Sequence, residues 1–447
     1  MKVLFVVGQF PPLNIGGSFR PLKFVKYLPD FGIDPLIVTL DEASVIQEYG
    51  ETLLDRQLLE ELPESVRVYR LPIERARARS RWRTYFEVHD DFALRWKSAV
   101  LPFIEKIIER ESPTILFTSL PPFSLGALAT QIAGKHDLPL VVDLRDAWSQ
   151  WCITPYRSWL HYFLTKARER KVLGRATAAI TTTPQTREKL LALHPLVSKD
   201  KIHCLYNGFD FPMEEVADRI QWPSLSEKER FTIGYVGTYY FVPAARENML
   251  KPWWKKRWHR MLQFAPHRED WLYRTPYFFF KALASLFERN PKLRNSIKYR
   301  HIGQVADWFP DMVRQFQLEP NVEITGFVPY QKVPVLLEEC DAFLATSAKV
   351  IGGQDYSLAS KTFDYMRFGR PIIGFVTEGI QKVFLQQSGF GLIVDPDDEA
   401  AADRLEQLFV NAGEQSTDIK FLSQFQRRES ARRLAEIMRQ VASSTMD

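Results

Sequence analysis

Val3-Leu4-Phe5-Val6-Val7, the loop Gly8 to Gly17 and the segment Ser18 to Leu28 together decide how this chain folds. The first five residues are apolar without alternation, the pattern of a strand covered on both faces. The loop carries Pro11, Pro12 and the pair Gly16-Gly17. Ser18 is placed to cap a helix whose apolar positions include Leu22, Val25 and Leu28. Gly32 stops that helix, and Pro35–Leu40 reads as the next strand. A strand–glycine loop–helix–strand unit implies a parallel sheet.

The same pattern extends outward. Thr114–Thr118, Pro139–Leu144 and Ala178–Thr182 read as strands, with helical segments such as Ser124–His136 between them. Leu205 ends a further strand before Tyr206-Asn207-Gly208. Asp210 to Glu229 loses periodicity and carries Pro212 and Pro223, as a linker does. A second series follows: strands Phe231–Val236, Ile297–Ile302, Val322–Ile324 and Ala342–Ala345, with helices Phe278–Phe287 and Val333–Glu339. The expected fold class is α/β, with two Rossmann-like doubly wound domains facing across a cleft. The first domain spans 1–212, the linker 213–228 and the second domain 229–422. A final amphipathic helix, Ser423–Val441 within 423–447, is expected to pack back on the first domain. Residues 241–273, rich in tryptophan, read as an insertion in the second.

A chain of 447 residues suits two or three domains. The formal charge is +5, too small and dispersed for a nucleic-acid face. Cys152, Cys204 and Cys340 form no CxxC pair, which argues against a disulfide framework or a zinc site and for a reducing, cytoplasmic compartment. The first apolar run is too short for a secretory signal, and no run approaches the ~20 residues of a membrane span. His161, His194 and His203 are scattered, so neither a metal nor a cofactor is expected.

Strand-end glycines mark where a doubly wound sheet binds ligands. Gly16 and Gly17 hold such a place in the first half. Gly237, Gly303 and Gly326 hold it in the second. Any one of them alone is equally well a plain turn. Ser360-Lys361-Thr362-Phe363-Asp364-Tyr365-Met366-Arg367-Phe368-Gly369-Arg370-Pro371 is more specific. Ser360 is a candidate N-cap. Lys361 and Asp364 share one helix face, where they could hold a diphosphate and sugar hydroxyls. The competing meaning is a surface ion pair worth under ~1 kcal/mol.

Taken in order, these segments resemble the family 4 glycosyltransferases of the GT-B type. The resemblance rests on Pro11-Pro12-Leu13-Asn14-Ile15-Gly16-Gly17-Ser18-Phe19-Arg20, on Asn207-Gly208-Phe209-Asp210, on Tyr235-Val236-Gly237-Thr238, on Gly326-Phe327-Val328 and on Lys361 to Pro371. Its Asp143-Leu144-Arg145-Asp146 resembles a subgroup that makes surface polysaccharides.

The resemblance implies a retaining, metal-independent transfer from a nucleotide-diphosphate sugar to a glycan or lipid-linked acceptor. It puts Asp364 at the nucleotide ribose and Lys361 at the diphosphate and donor sugar, with Ser360 and Thr362 beside them. It puts Gly326, Phe327 and Val328 at the nucleobase. Gly16, Gly17, Arg20, Gly237, Thr238 and Gly303 would complete the donor crevice. Arg274, before Thr275-Pro276, would grip the leaving diphosphate. Tyr356 stands where the family has an upstream glutamate, and Asp355 beside it is the candidate substitute. Arg145 and Asp146 would line the acceptor side. A nucleotide-sugar epimerase of similar fold and an inactive sugar-nucleotide-binding subunit are the alternatives. Trp254, Trp258 and Leu262 are spaced four apart among lysines and arginines, as in an amphipathic helix lying in a membrane interface. Residues 250–264 are thus a candidate membrane contact on the inner face of the cell membrane. Packing on the chain's own domain or on a partner is the competing role.

Overall fold

The structure is a computed structural model that describes residues 1–76, 87, 88, 90–150, 153–213, 216, 228–329, 332–410 and 418–444. Most of the linker expected at 213–228 lies outside the described residues, as does Cys152. Among the described residues, strands β1 (Lys2–Val7), β2 (Asp34–Leu40), β3 (Arg67–Leu71), β4 (Ile115–Leu120), β5 (Leu140–Leu144), β6 (Ala178–Thr181) and β7 (Ile202–Cys204) form one parallel sheet. Its order is β3-β2-β1-β4-β5-β6-β7. The second half contributes β8 (Phe231–Val236), β9 (Arg268–Asp270), β10 (Ile297–Ile302), β11 (Val322–Ile324), β12 (Ala342–Thr346), β13 (Lys349–Ile351), β14 (Ile372–Phe375) and β15 (Gly391–Val394). Six of these pair in the order β11-β10-β8-β12-β14-β15, while β9 and β13 form a separate antiparallel pair. In each sheet the order reverses beside the first strand, and such switch points open a crevice at the C-terminal strand ends.

The strands are apolar because helices cover both their faces. Phe5 pairs in register with Ile37 and Phe117, and all three are fully buried. Burial of one such side chain contributes ~1.5–3 kcal/mol. The helix Arg427–Ser443 sits in this first core: Ala431, Leu434 and Met438 cluster with Val3, Phe5 and Val25. The expected single helix from Ser423 is two pieces, Ile419–Ser423 and Arg427–Ser443.

The chain therefore passes between the halves twice, and the two passages touch. Phe209 N–H donates to the Phe425 carbonyl at 3.1 Å, and Arg427 N–H to the Phe209 carbonyl at 2.9 Å. A Cβ on Gly208 would overlap the Phe425 carbonyl. Glycine is needed here for space, because backbone meets backbone.

Three local expectations are corrected. Ser18 does not cap its helix: the helix is Gly16–Tyr27, with Ile15 at the N-cap and no side-chain cap bond. Ser360 is the first residue of its helix, not the N-cap, which is Ala359. In both, an earlier residue, Ile15 or Ala359, holds the extended N-cap conformation and makes no side-chain cap bond. The amphipathic helix through Trp254, Trp258 and Leu262 does not form. The insertion holds one helix, Pro243–Leu250, then the single turns Trp253–Lys255 and Trp258–Arg260. No packed face supports a longer helix there, and isolated short helices are marginal.

Gly208→Ala is expected to lower unfolding stability by about 2 kcal/mol or more through this overlap. Gly16→Ala, with nothing within 4 Å of its added methyl, should stay within about 0.5 kcal/mol of the parent. Urea melts of the two variants would show the contrast, and equal midpoints would refute it.

Candidate active site

The two crevices face one another and enclose a cavity of about 430 Å³. The first half lines it with Gln9, Gly16, Gly17, Arg145 and Asp146. The second lines it with Glu269, Trp271, Arg274, Asp355, Tyr356 and Ser360. A smaller cavity of about 190 Å³ shares Gly16, Arg20, Asn207 and Ser360 with it and adds Lys23, Asp364 and Arg427. The helix Gly16–Tyr27 begins at this junction with no side-chain cap. Its first backbone N–H groups and positive dipole end favour an anion there.

The glycine pair divides its work. Gly16 is open to the cavity. A Cβ on Gly17 would strike Gln9 Oε1 and the Arg145 guanidinium. Gly17 thus makes room for the Arg145–Gln9 contact. Arg145 also donates from Nη2 to the Pro121 carbonyl at 2.6 Å and from Nη1 to Ser119 Oγ at 3.3 Å. Its Nε lies 3.9 Å from Asp146 Oδ2. Arg145 is therefore held by the first half and in turn faces Asp146, whose carboxyl burial pushes up against the pull of Arg145.

Arg20 is spent differently. Its Nε donates to both oxygens of buried Asp143 at 3.0 Å, and its Nη1 to Asn207 Oδ1 at 3.1 Å. Removing one partner of such a buried pair costs about 3–5 kcal/mol. Arg20 borders both cavities, but its charge is neutralised within the fold.

On the facing side, Arg274 donates to Ser357 Oγ at 2.6 Å and lies 5.2 Å from the Trp271 ring. Lys361 donates from Nζ to Tyr235 Oη at 2.5 Å and to the Val236 carbonyl at 2.9 Å, 3.9 Å above the Tyr235 ring. Among the described residues, neither cation has a carboxylate at ion-pair distance. Burial lowers the Lys361 ammonium to about 7, and the like charge of Arg274 adds to the effect. Asp355 is the converse. Burial raises its carboxyl to about 7 against the pull of Arg274, and its Oδ2 is buried without a hydrogen-bond partner. Asp364 reaches the smaller cavity, its carboxyl raised by burial against the pull of Arg427.

The glycine crevice is contiguous. Gly237, Gly303 and Gly326 all have positive φ, at 92°, 135° and 71°, and Gly303 bridges to Gly326 while packing on the Gly237 backbone. Thr238 is exposed at the end of β8. Phe327 is 62% exposed, whereas Val328 packs into the second half's core. Thr362 is a correction. It is fully buried and accepts from Gln381 Nε2 at 2.9 Å, because its position on the helix Ser360–Met366 faces the helix Ile380–Ser388 and not the cleft.

Glu269 is the residue that sequence reasoning missed. β9 and β13 pair Glu269 with Val350 and bring it against Tyr356. Tyr356 Oη donates to Glu269 Oε1 at 2.7 Å and Trp271 Nε1 to Oε2 at 2.8 Å, while His267 Nε2 stands 2.5 Å from Oε1. Burial alone would raise this carboxyl, but the three hydrogen bonds outweigh it and hold it below its usual range. The only hint in the sequence was the lack of an acid at Tyr356.

Family models match both halves: a glycosyl transferase 4-like domain at residues 16–208 and a glycosyl transferases group 1 domain at 274–411. Together they cover most of the chain and meet across the cleft. The chain belongs to the GT-B glycosyltransferases of the family 4 type. WcaL of Escherichia coli strain K12, provisionally named a colanic acid biosynthesis glycosyltransferase, is 27% identical over 113 residues, which is 25% of this chain and 28% of that protein. The match thus spans little more than a quarter of the relative's length. Among solved structures, Anabaena HepE in complex with UDP superposes with a TM-score of 0.52 at 14% identity, covering 100% of this chain and 98% of that one. Sucrose-phosphate synthase from Thermosynechococcus elongatus gives 0.59 at 11% identity, with coverage of 100% and 97%. At these identities the likeness is one of fold.

Asp355→Asn should be more stable than the parent at pH 8. A carboxyl raised from 3.8 to about 7 in the fold binds more protons folded than unfolded between those values, so stability falls as pH rises through that window. The variant should lose this decline and gain roughly 2–4 kcal/mol above it. Unfolding measured at pH 4, 6 and 8 tests this, and an unchanged slope would contradict it.

Proposed function

We propose that this glycosyltransferase moves a sugar, with retention of configuration, from a nucleotide-diphosphate sugar to a glycan or lipid-linked acceptor in surface-polysaccharide synthesis. One observation carries this: Arg274 lines the cavity that also takes in the uncapped start of the helix Gly16–Tyr27, Lys361 directly follows Ser360 of the same lining, and both cations are bonded only to neutral oxygens. A diphosphate between them would meet two positive charges and free backbone donors. The WcaL likeness and the UDP and UDP-glucose bound to HepE support the choice of co-substrate and pathway.

In this mechanism the anomeric carbon–oxygen bond to the diphosphate breaks and negative charge grows on the departing phosphate oxygen. Arg274, Lys361 and the Gly16–Gly17 backbone stand ready for that charge before the reaction begins, which is how preorganised donors lower a barrier. No dedicated cofactor or metal is invoked. Asp364 and Ser360 reach the ribose, and Gly326, Phe327 and Val328 the base. Gly237, Thr238 and Gly303 leave room for the phosphates, and Asp355 takes a donor-sugar hydroxyl. Asp146 orients the acceptor hydroxyl, with Arg145 as its positioning residue. The departing diphosphate accepts the acceptor's proton. The sparse cysteines favour a cytoplasmic site of action, at the inner face of the membrane. Among the described residues no helix is long and apolar enough to cross a membrane.

Binding a diphosphate should recharge Lys361. Above pH 7 nucleotide binding is therefore expected to take up protons, seen by calorimetry in buffers of different ionisation enthalpy. Lys361→Met should abolish that uptake and lower transfer by ~10²–10³ while the melting temperature holds. Parent-like turnover in this variant would sink the assignment. A thermal-shift screen with UDP, GDP, ADP and their sugars identifies the donor, since ligand binding raises apparent stability.

A further inference from the structure

Outside the cleft, the largest exposed apolar side chains gather in two segments from different halves. The helix Trp159–Arg175 exposes Trp159, Leu160, Phe163 and Leu164 along one stripe, at positions i, i+1, i+4 and i+5. The insertion exposes Trp253, Trp254 and Leu262, and Trp258 is 83% exposed. The two segments are joined. Tyr156 N–H donates to the Phe264 carbonyl at 2.8 Å, and Phe264 N–H to the Tyr156 carbonyl at 3.0 Å. Their neighbours Tyr162 and Phe264 meet with ring centroids 5.1 Å apart. Ile153 of the first half packs on Phe241 and Trp271 beside this joint.

Charge selects the occupant. From Lys251 to Arg268 the sequence holds Lys251, Lys255, Lys256, Arg257, Arg260 and Arg268 and no acid. The helix Trp159–Arg175 contains one acid, Glu169, and it is buried against Ser149 and His194. Exposed Glu247, just before this run, pairs with Lys251 at 2.8 Å, and the remaining cations leave the exposed surface of both segments aromatic and net positive. Tryptophan at a polar–apolar boundary, ringed by lysine and arginine, matches an anionic lipid interface.

We infer that the helix Trp159–Arg175 and the insertion together form one face, built from both halves, that docks on an anionic lipid surface. A single amphipathic helix is not required. The apolar rings enter the headgroup region, the basic side chains meet lipid phosphates, and the Tyr156–Phe264 bridge holds the two segments level. The inference rests on surface chemistry alone and stands whether or not the donor assignment does.

Co-sedimentation of the full chain with phosphatidylcholine vesicles, with and without phosphatidylglycerol, tests it. The parent should bind the phosphatidylglycerol vesicles and release at high salt. Trp159→Ser with Phe163→Ser, and separately Trp253→Ser with Trp258→Ser, should each cut partitioning roughly tenfold with the melting temperature kept. Lys255→Glu with Arg257→Glu, at exposed positions, gives a second route should a tryptophan variant fold poorly, and it should weaken binding to the anionic vesicles. Equal binding to both vesicle types overturns the inference, as does loss of binding in only one tryptophan-or-phenylalanine pair. Self-association of the parent that Trp159→Ser with Phe163→Ser disperses would assign the face to a second copy, and also overturns it.

Discussion

Two strands of backbone cross between the halves at one point, and the cleft exists in its present shape because they bond to each other there. Gly208 lies flat against the Phe425 carbonyl with no room for a side chain. Around that contact, Asp210 gathers Lys23 at 2.5 Å and Arg427 at 3.4 Å, and Arg427 Nε donates to the Gly208 carbonyl at 2.8 Å. The helix Gly16–Tyr27, the exit from the first half and the return into the Arg427–Ser443 helix are thereby tied together. The same helix presents Gly16 to the cavity. Any shift at the crossing therefore moves the anion-facing helix start relative to Arg274 and Lys361, which belong to the other half.

What could be read from the sequence follows from how strongly each element's surroundings constrain it. Phe231–Val236 is buried along almost its whole length, whereas Ile297–Ile302 alternates, with Lys298 and Arg300 only half-buried; either pattern marks a strand. β3, Arg67-Val-Tyr-Arg-Leu, is half-buried at the sheet edge, so its composition does not separate it from a loop. Helix starts at Ser18 and Ser360 misled because a serine near a helix end is a cap only if the chain enters at that residue. The four-residue spacing of Trp254, Trp258 and Leu262 misled because periodicity makes a helix only where there is a surface to bury it against.

The site divides in the same way. Asp146 follows the end of β5, Arg274 ends the short turn Trp271–Arg274 after β9, and Asp355 lies in the loop after β13; the fold brings all three to one cavity. Glu269 sits inside the insertion and reaches the cavity through the β9–β13 pairing with Val350, 81 positions on in sequence. No local pattern announces such a contact. The insertion that looked like an appendage is in part a wall of the site, contributing Glu269 and Trp271.

Charge distribution separates structural ions from those awaiting a ligand. Arg20 meets Asp143 in a closed pair, and Arg145 is held by Pro121, Ser119 and Gln9 and faces the Asp146 carboxylate at 3.9 Å. Both are buried, and each has a carboxylate at ion-pair distance to offset its charge inside the fold. Arg274 and Lys361 have only neutral oxygens and each other's repulsion, and Asp355 keeps one oxygen unbonded. Such groups cost folding energy, and the fold bears that cost at one place, the junction of its two crevices. A group with two negative charges lying between Arg274 and Lys361 removes the repulsion and restores the lysine's proton. On the proposed reading, a sugar hydroxyl on Asp355 would fill the missing bond. Each of these unsatisfied groups would then correspond to one part of a nucleotide-diphosphate sugar.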